Sequence, residues 1–126
     1  MVKTKRPVDL PLLKIRLPIG GVISIVHRIT GALLVLILPL ATYWLDRSLD
    51  SPKGFSDAAK FLDSPVIKAL VILTLAIFIQ HFLSGMRHLV LDLQVGLDRV
   101  TARRSAWAVP LLTLVLTAVS AWVICS

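Results

Sequence analysis

The chain alternates between long stretches without charged side chains and short polar connections. The uncharged stretches cover residues 29–45, 69–86 and 105–126. A helix that crosses a membrane needs about 20 predominantly apolar residues. The pattern therefore predicts an all-α integral membrane protein with three transmembrane helices, at about residues 21–45, 64–91 and 105–125.

The connections between these stretches carry turn signals. The first contains Ser51-Pro52-Lys53-Gly54, a polar turn, and then residues 55–62, which are expected to form a short amphipathic helix at the membrane interface. The second, residues 93–104, is short and polar and contains Gly96. We expect one membrane-anchor domain over residues 1–126, in which residues 1–20 form a cytoplasmic N-terminal arm without an apolar signal-peptide core.

Composition strengthens the membrane interpretation. Hydrophobic residues make up 56% of the chain and charged residues 17%, with a mean hydropathy of +0.85. Soluble domains have about 25% charged residues, so this chain has too little polar surface to cover a globule in water. The net charge of +7 does not indicate nucleic-acid binding, because the basic residues lie between apolar runs rather than along one surface.

The distribution of basic residues predicts the orientation. Ten of the fourteen Lys and Arg residues lie in the N-terminal segment up to Arg28 or around the second connection. The other four lie around the first connection, where four aspartates balance them. By the positive-inside rule the N-terminus faces the cytoplasm and the C-terminus the periplasm.

All three histidines lie near the predicted cytoplasmic ends of the first two spans. The same spacing of i, i+3, i+4 and i+7 occurs in Ser24, His27, Arg28 and Gly31 and again in His81, Ser84, Gly85 and His88. Because the two helices run in opposite directions, both sets are expected at a similar depth. A neutral imidazole at that depth needs a hydrogen-bond partner or a metal. Spacing alone leaves intrachain ligation by His27 and His81, or by His81 and His88, open.

Taken singly, these residues have ordinary explanations. A histidine can connect two helices by a hydrogen bond, and an arginine near a helix end can reach the headgroups. Together they suit a flat anionic cofactor such as haem b, because imidazole binds iron, glycine makes room for the ring, and Arg or His pairs with propionates. Ser24 and Arg28 could also donate hydrogen bonds to a quinone.

Three segments resemble the signature of the cytochrome b membrane-anchor subunit of succinate dehydrogenase, in its short proteobacterial form. They are RPVDL at residues 6–10, SIVHRITG at residues 24–31 and HFLSGMRH at residues 81–88. The resemblance implies that His81 is an axial ligand of haem b, and that the other axial ligand comes from a sister anchor, so that the two chains form a heterodimeric haem-binding helical bundle. It further implies a haem pocket and propionate partners at His27, Arg28, Gly85 and His88, and a quinone site at Ser24 and Arg28.

The resemblance also implies the function. The chain would anchor a flavoprotein and an iron–sulfur subunit to the bacterial inner membrane, and electrons would pass from succinate to ubiquinone, linking the tricarboxylic acid cycle to respiration. No catalytic residue and no independent activity are expected in this chain. Two alternatives stay open: a fumarate reductase anchor that uses menaquinol, and a non-redox structural membrane subunit.

Overall fold

The computed structural model describes residues 17–126, and this part of the chain is built from helices without strands. The four helices are α1 (Ile19–Asp50), α2 (Pro52–Asp63), α3 (Pro65–Asp92) and α4 (Arg99–Cys125). Of these, α1, α3 and α4 are long and apolar enough to cross a membrane. The three predicted spans and the short helix between the first two are therefore confirmed. The prediction for the N-terminal arm lies, up to residue 16, outside the described residues.

The spans are longer than their uncharged stretches. Helix α4 begins six residues before the predicted start, because the carboxylate of Asp98 accepts a hydrogen bond of 2.8 Å from the backbone N–H of Thr101. The same hydrogen bond lowers the pKa of the Asp98 carboxyl below its usual value. Helix α1 continues to Asp50, five residues beyond the prediction. Charged residues mark where a helix leaves the lipid, whereas capping side chains determine where it begins or ends.

The turn between α1 and α2 depends on two small residues. The hydroxyl of Ser51 accepts a hydrogen bond of 3.0 Å from the N–H of Gly54 and so caps α2. A Cβ atom at Gly54 would collide with the backbone carbonyl oxygen of Arg47. Farther along, the rings of Trp44 and Phe61 stack with centroids 4.2 Å apart. These contacts hold α2 against the end of α1.

Helix α3 packs against both other spans, and α1 and α4 contact each other less extensively. The buried apolar cluster is small and joins Ile23 of α1 to Ala106 and Val109 of α4, with Leu83 of α3 packed against it. Many other apolar side chains are exposed. Because lipid gives little hydrophobic drive between helices, close packing of small residues and hydrogen bonds between helices must hold the bundle together.

Arg87 connects the three spans at one end of the bundle. Its Nε donates to the hydroxyl of Ser105 and its terminal nitrogen donates to the carbonyl of Ala102, both at 3.1 Å. The same guanidinium lies beside Gly20 at the start of α1. The start of α1, which follows the basic N-terminal segment in the sequence, and the basic α3–α4 connection therefore lie at the same end.

Candidate cofactor site between helices α1 and α3

Helices α1 and α3 meet through a reciprocal histidine–glycine contact. His27 precedes Gly31 by four residues, and His81 precedes Gly85 by four residues. A Cβ atom at Gly31 would lie 2.9 Å from Cε1 of His81, and one at Gly85 would lie 3.3 Å from Nε2 of His27. Since the two helices run in opposite directions, each glycine accommodates the imidazole of the other helix.

The three histidines predicted to share one depth lie together. The rings of His27 and His81 stack with centroids 4.2 Å apart and planes inclined by 12°. The ring of His88 lies 5.2 Å from that of His27, inclined by 60°. The lone pair of an imidazole nitrogen lies in the ring plane, so two stacked rings cannot both direct a lone pair at one ion between them. In this arrangement His27 and His81 are not two ligands of the same metal. Within residues 17–126, no cluster of three or more His, Cys, Asp or Glu side chains is arranged to hold a metal ion.

The hydrogen bonds of His81 fix its tautomer. Its Nδ1 lies 3.1 Å from the backbone carbonyl oxygen of His27 and 3.3 Å from Oγ1 of Thr30. A carbonyl only accepts, so Nδ1 carries a proton and donates, and in the neutral imidazole Nε2 keeps its lone pair. Histidines that bind metals are oriented in this way, with the second ring N–H donated to a carbonyl or carboxylate. The donor set therefore fits an iron porphyrin that takes one axial ligand from this chain.

A polar network on the neighbouring side of α3 sets the rotation of this helix. The amide nitrogen of Gln80 donates to the hydroxyl of Ser84 at 3.1 Å, and Thr113 of α4 donates to the amide oxygen of Gln80 at 2.8 Å. Ser84 is fully buried in this network. With Gln80 and Ser84 turned toward α4, His81 and Gly85, one position further along the helix, are directed toward α1.

Ser84 does not belong to the histidine face on which the sequence pattern placed it. It lies about 60° around the helix from His81 and about 40° from Gln80, and its hydroxyl accepts a hydrogen bond from Gln80 on the side of α4. A spacing of three residues is compatible with a position beside the histidines and with a position facing α4. Only the position of α4 in the structure decides between the two. The residue contributes to helix packing rather than to the histidine cluster.

The predicted quinone residues lie on α1 near the basic end of the bundle. Ser24 is half-buried and Arg28 is exposed. Among the residues that the structure describes, neither side chain makes a hydrogen bond. The structure thus brings His27, His81, His88 and the two glycines together. Ser24 and Arg28 lie on the same part of α1 as His27 and form no hydrogen bond with the described residues.

Sequence reasoning assigned no role to several residues around the site. Thr30 lies inside the SIVHRITG segment, and Gln80 and Thr113 are polar residues within apolar spans. A polar side chain in such a span usually bonds to another helix, so the sequence contained a signal for Gln80 and Thr113. The signal for Thr30 was weaker, because a threonine can also bond to its own helix.

Comparison with known proteins identifies the family. A family model described as succinate dehydrogenase/fumarate reductase transmembrane subunit matches residues 3–120. The chain is 36% identical over 109 residues to the succinate dehydrogenase cytochrome b556 subunit of Coxiella burnetii, covering 86% of this chain and 87% of the relative. It is 36% identical over 105 residues to the same subunit of Paracoccus denitrificans, covering 82% and 79%. The subunit of Rickettsia felis is 27% identical over 116 residues, covering 92% and 90%. This multi-pass membrane protein therefore belongs to the family of succinate dehydrogenase/fumarate reductase transmembrane subunits.

Proposed function

We propose that this chain is the cytochrome b anchor of a succinate:ubiquinone oxidoreductase, and that it binds one side of haem b and forms part of the ubiquinone-reduction site. The observation that carries the proposal is the fixed tautomer of His81, whose Nδ1 donates to the carbonyl of His27 at 3.1 Å and whose Nε2 is free to bind iron. The relatives named cytochrome b556 subunits support a haem of b type.

The residues around His81 have distinct roles in this proposal. His81 would supply this chain's nitrogen ligand to the haem iron, and the sister anchor would supply the other ligand. The rings of His27 and His88 lie 5.2 Å apart, and these two histidines, together with Arg28, would pair with the propionates. Gly85 would leave room on α3 for the imidazole of His27. When bound, haem b supplies a carrier for single electrons.

Ser24 and Arg28 form this chain's part of the quinone site. The hydroxyl of Ser24 donates a hydrogen bond to a carbonyl oxygen of the quinone and orients the ring. The guanidinium of Arg28 stabilises the negative charge that develops on oxygen as electrons arrive from the iron–sulfur subunit. Full reduction of one quinone consumes two electrons and two protons.

The proposed complex also contains the sister anchor, the iron–sulfur subunit and the flavoprotein, in the inner membrane of a bacterium. The family and the relatives' names support these partners. The excess of Lys and Arg at the end that contains the start of α1 supports a cytoplasmic N-terminus and a periplasmic C-terminus. On this orientation the histidine cluster lies at the end of the bundle nearer to the iron–sulfur subunit.

The haem assignment is tested by the dithionite-reduced minus oxidised absorption spectrum of the purified complex. We expect a b-type signal in the wild type and in the control Thr42→Val, whose hydroxyl bonds to the carbonyl of Leu38 away from the site, and a lost or shifted signal in His81→Ala. A signal that His81→Ala leaves unchanged would mean that another residue binds the iron. A colourless wild-type complex would favour the structural alternative, in which the histidines only connect helices.

The quinone assignment is tested by two activities of the same complex. Ser24→Ala and Arg28→Leu are expected to lower succinate-driven ubiquinone reduction and to leave succinate oxidation by artificial dyes intact. Matched controls are Ser120→Ala, whose hydroxyl bonds to the carbonyl of Leu116, and Arg104→Leu at an exposed position on α4. Equal loss of both activities would contradict the assignment, because it would indicate damage to the complex as a whole.

A fumarate reductase anchor that uses menaquinol is the second candidate, since the matching family description includes both enzymes. The relatives, all named for succinate dehydrogenase, favour the succinate direction. The purified complex distinguishes the two by its rate of succinate-driven ubiquinone reduction compared with its rate of menaquinol-driven fumarate reduction.

A further inference from the structure

We propose that Thr30 is a positioning residue for His81, and that its hydroxyl oxygen shares with the carbonyl of His27 the proton on Nδ1 of that histidine. The inference rests on the proposed function, in which His81 binds the haem iron. Thr30 is buried, with 7% of its surface exposed, at the contact between α1 and α3.

The hydroxyl of Thr30 has three neighbours within hydrogen-bond distance. Its oxygen lies 2.9 Å from the carbonyl of Val26, 3.0 Å from the carbonyl of His27 and 3.3 Å from Nδ1 of His81. A hydroxyl has one proton and two lone pairs. Since carbonyls only accept, the proton of Thr30 goes to one of them, and a lone pair is left for the N–H of His81.

The carbonyl of His27 is crowded, and this explains why a hydroxyl is useful at position 30. Because it lies inside α1, this carbonyl also accepts the helical N–H of Gly31, which uses one of its two lone pairs. If Thr30 donates to Val26, the second lone pair of His27 is available to His81. Thr30 then does not compete with His81 for the carbonyl of His27, and its oxygen is a second acceptor for the Nδ1 proton. The two acceptors hold the imidazole in one orientation.

Acceptors on Nδ1 change the properties of a ligand histidine. Withdrawal of the Nδ1 proton toward an acceptor makes the ring more basic at Nε2 and strengthens its bond to oxidised iron. Hydrogen bonding around the ligands is one of the means by which a protein sets haem potential. Loss of the Thr30 acceptor is therefore expected to favour the reduced haem and to raise its midpoint potential.

The experiment is a redox titration of the b-type absorption in the purified complex. It compares the wild type with Thr30→Val, which keeps the shape and removes the hydroxyl, and with Thr30→Ser, which keeps the hydroxyl. The matched control is Thr42→Val, because Thr42 lies on the same helix and bonds only to the carbonyl of Leu38. We expect Thr30→Val to raise the ratio of reduced to oxidised haem at a given potential by up to about tenfold, which is a positive shift of up to about 59 mV for one electron. Thr30→Ser and Thr42→Val are expected to titrate like the wild type.

Several results would overturn this role. One is an unchanged potential in Thr30→Val with haem retained, and another is an equal shift in Thr30→Ser, which would trace the effect to the methyl group. If Thr30→Val does not assemble, Thr30→Ala replaces it: a positive shift in Thr30→Ala but not in Thr30→Ser supports the role, and equal potentials overturn it. A wild-type complex without a b-type signal, or His81→Ala with an unchanged one, overturns the proposed function and the role of Thr30 with it.

Discussion

Substitution of Gly31 by alanine tests whether the histidine–glycine contact holds the site together. The added methyl group would lie 2.9 Å from Cε1 of His81, about 0.5 Å inside an ordinary van der Waals contact, which begins at 3.4 Å. The imidazole must therefore move. The movement stretches the 3.1 Å hydrogen bond to the carbonyl of His27 and disturbs the stack of the two rings.

The expected change in the free energy of unfolding of Gly31→Ala follows from two opposing effects. Alanine is favoured over glycine inside a helix by about 1 kcal/mol, which would stabilise the variant. Overpacking at a close contact costs about 1–3 kcal/mol, and a weakened hydrogen bond adds about 0.5–1.5 kcal/mol. Overpacking and the weakened hydrogen bond together outweigh helix propensity, so we expect a net destabilisation of about 0.5–3.5 kcal/mol and a reduced haem content.

The matched control is Gly21→Ala on the same helix. There the added methyl group would meet only the ring of Pro18, at 3.9 Å. The assay is the thermal midpoint of the purified complex, together with the haem-to-protein ratio from the reduced minus oxidised spectrum. Gly31→Ala should lower both values, whereas Gly21→Ala should leave them at or above the wild-type level. If the two variants behave alike, the contact between Gly31 and His81 does not constrain the site.

Three further predictions concern the frame around the site. Thr113→Val should lower the thermal midpoint by the equivalent of about 0.6–1.7 kcal/mol, because the amide oxygen of Gln80 loses its donor. Thr113→Ser keeps the hydroxyl and should have the wild-type midpoint, so equal midpoints in the two variants would contradict this prediction. Gly54→Ala should make the α1–α2 connection sensitive to protease, because the methyl group meets the rigid backbone carbonyl of Arg47, and a wild-type digestion pattern would count against it. The stability that ionised Asp98 contributes by capping α4 should be fully present above its ordinary pKa of 3.8. It should be lost as the pH falls through the lowered pKa that Asp98 has in the folded state. Asp98→Asn, which caps nearly as well, should lack that part of the acid-induced loss of stability, and identical acid profiles would refute the assignment.

The spans could be predicted from the sequence because their signal is local. A bilayer requires about 20 consecutive apolar residues whatever the neighbouring helices do, so uncharged runs mark the spans directly. The ends were less predictable, since α4 begins at Arg99 rather than near residue 105. A cap such as Asp98 works from outside the apolar run, and hydropathy does not detect it.

The histidine site was only partly predictable. Equal spacing of polar residues on two antiparallel helices placed His27, His81 and His88 at one depth, and the structure brings these residues together. The same reasoning grouped Ser84 with them, although its hydroxyl bonds to Gln80 on the side of α4. Positions three residues apart are 60° apart around a helix, so spacing cannot decide which neighbouring helix each of them faces.

The sequence by itself determined that the chain lies in a lipid bilayer and how many times it crosses it. Its motifs determined the family. Each of these depends on the order of residues along one segment. Only the tertiary structure decided that Gly31 receives His81, that Gly85 receives His27, and that the hydroxyl of Thr30 reaches the imidazole from the other helix. Those contacts join residues 50 to 58 positions apart in the sequence. They depend on how α1, α3 and α4 are rotated and shifted along their axes, which the packing of all three helices sets together.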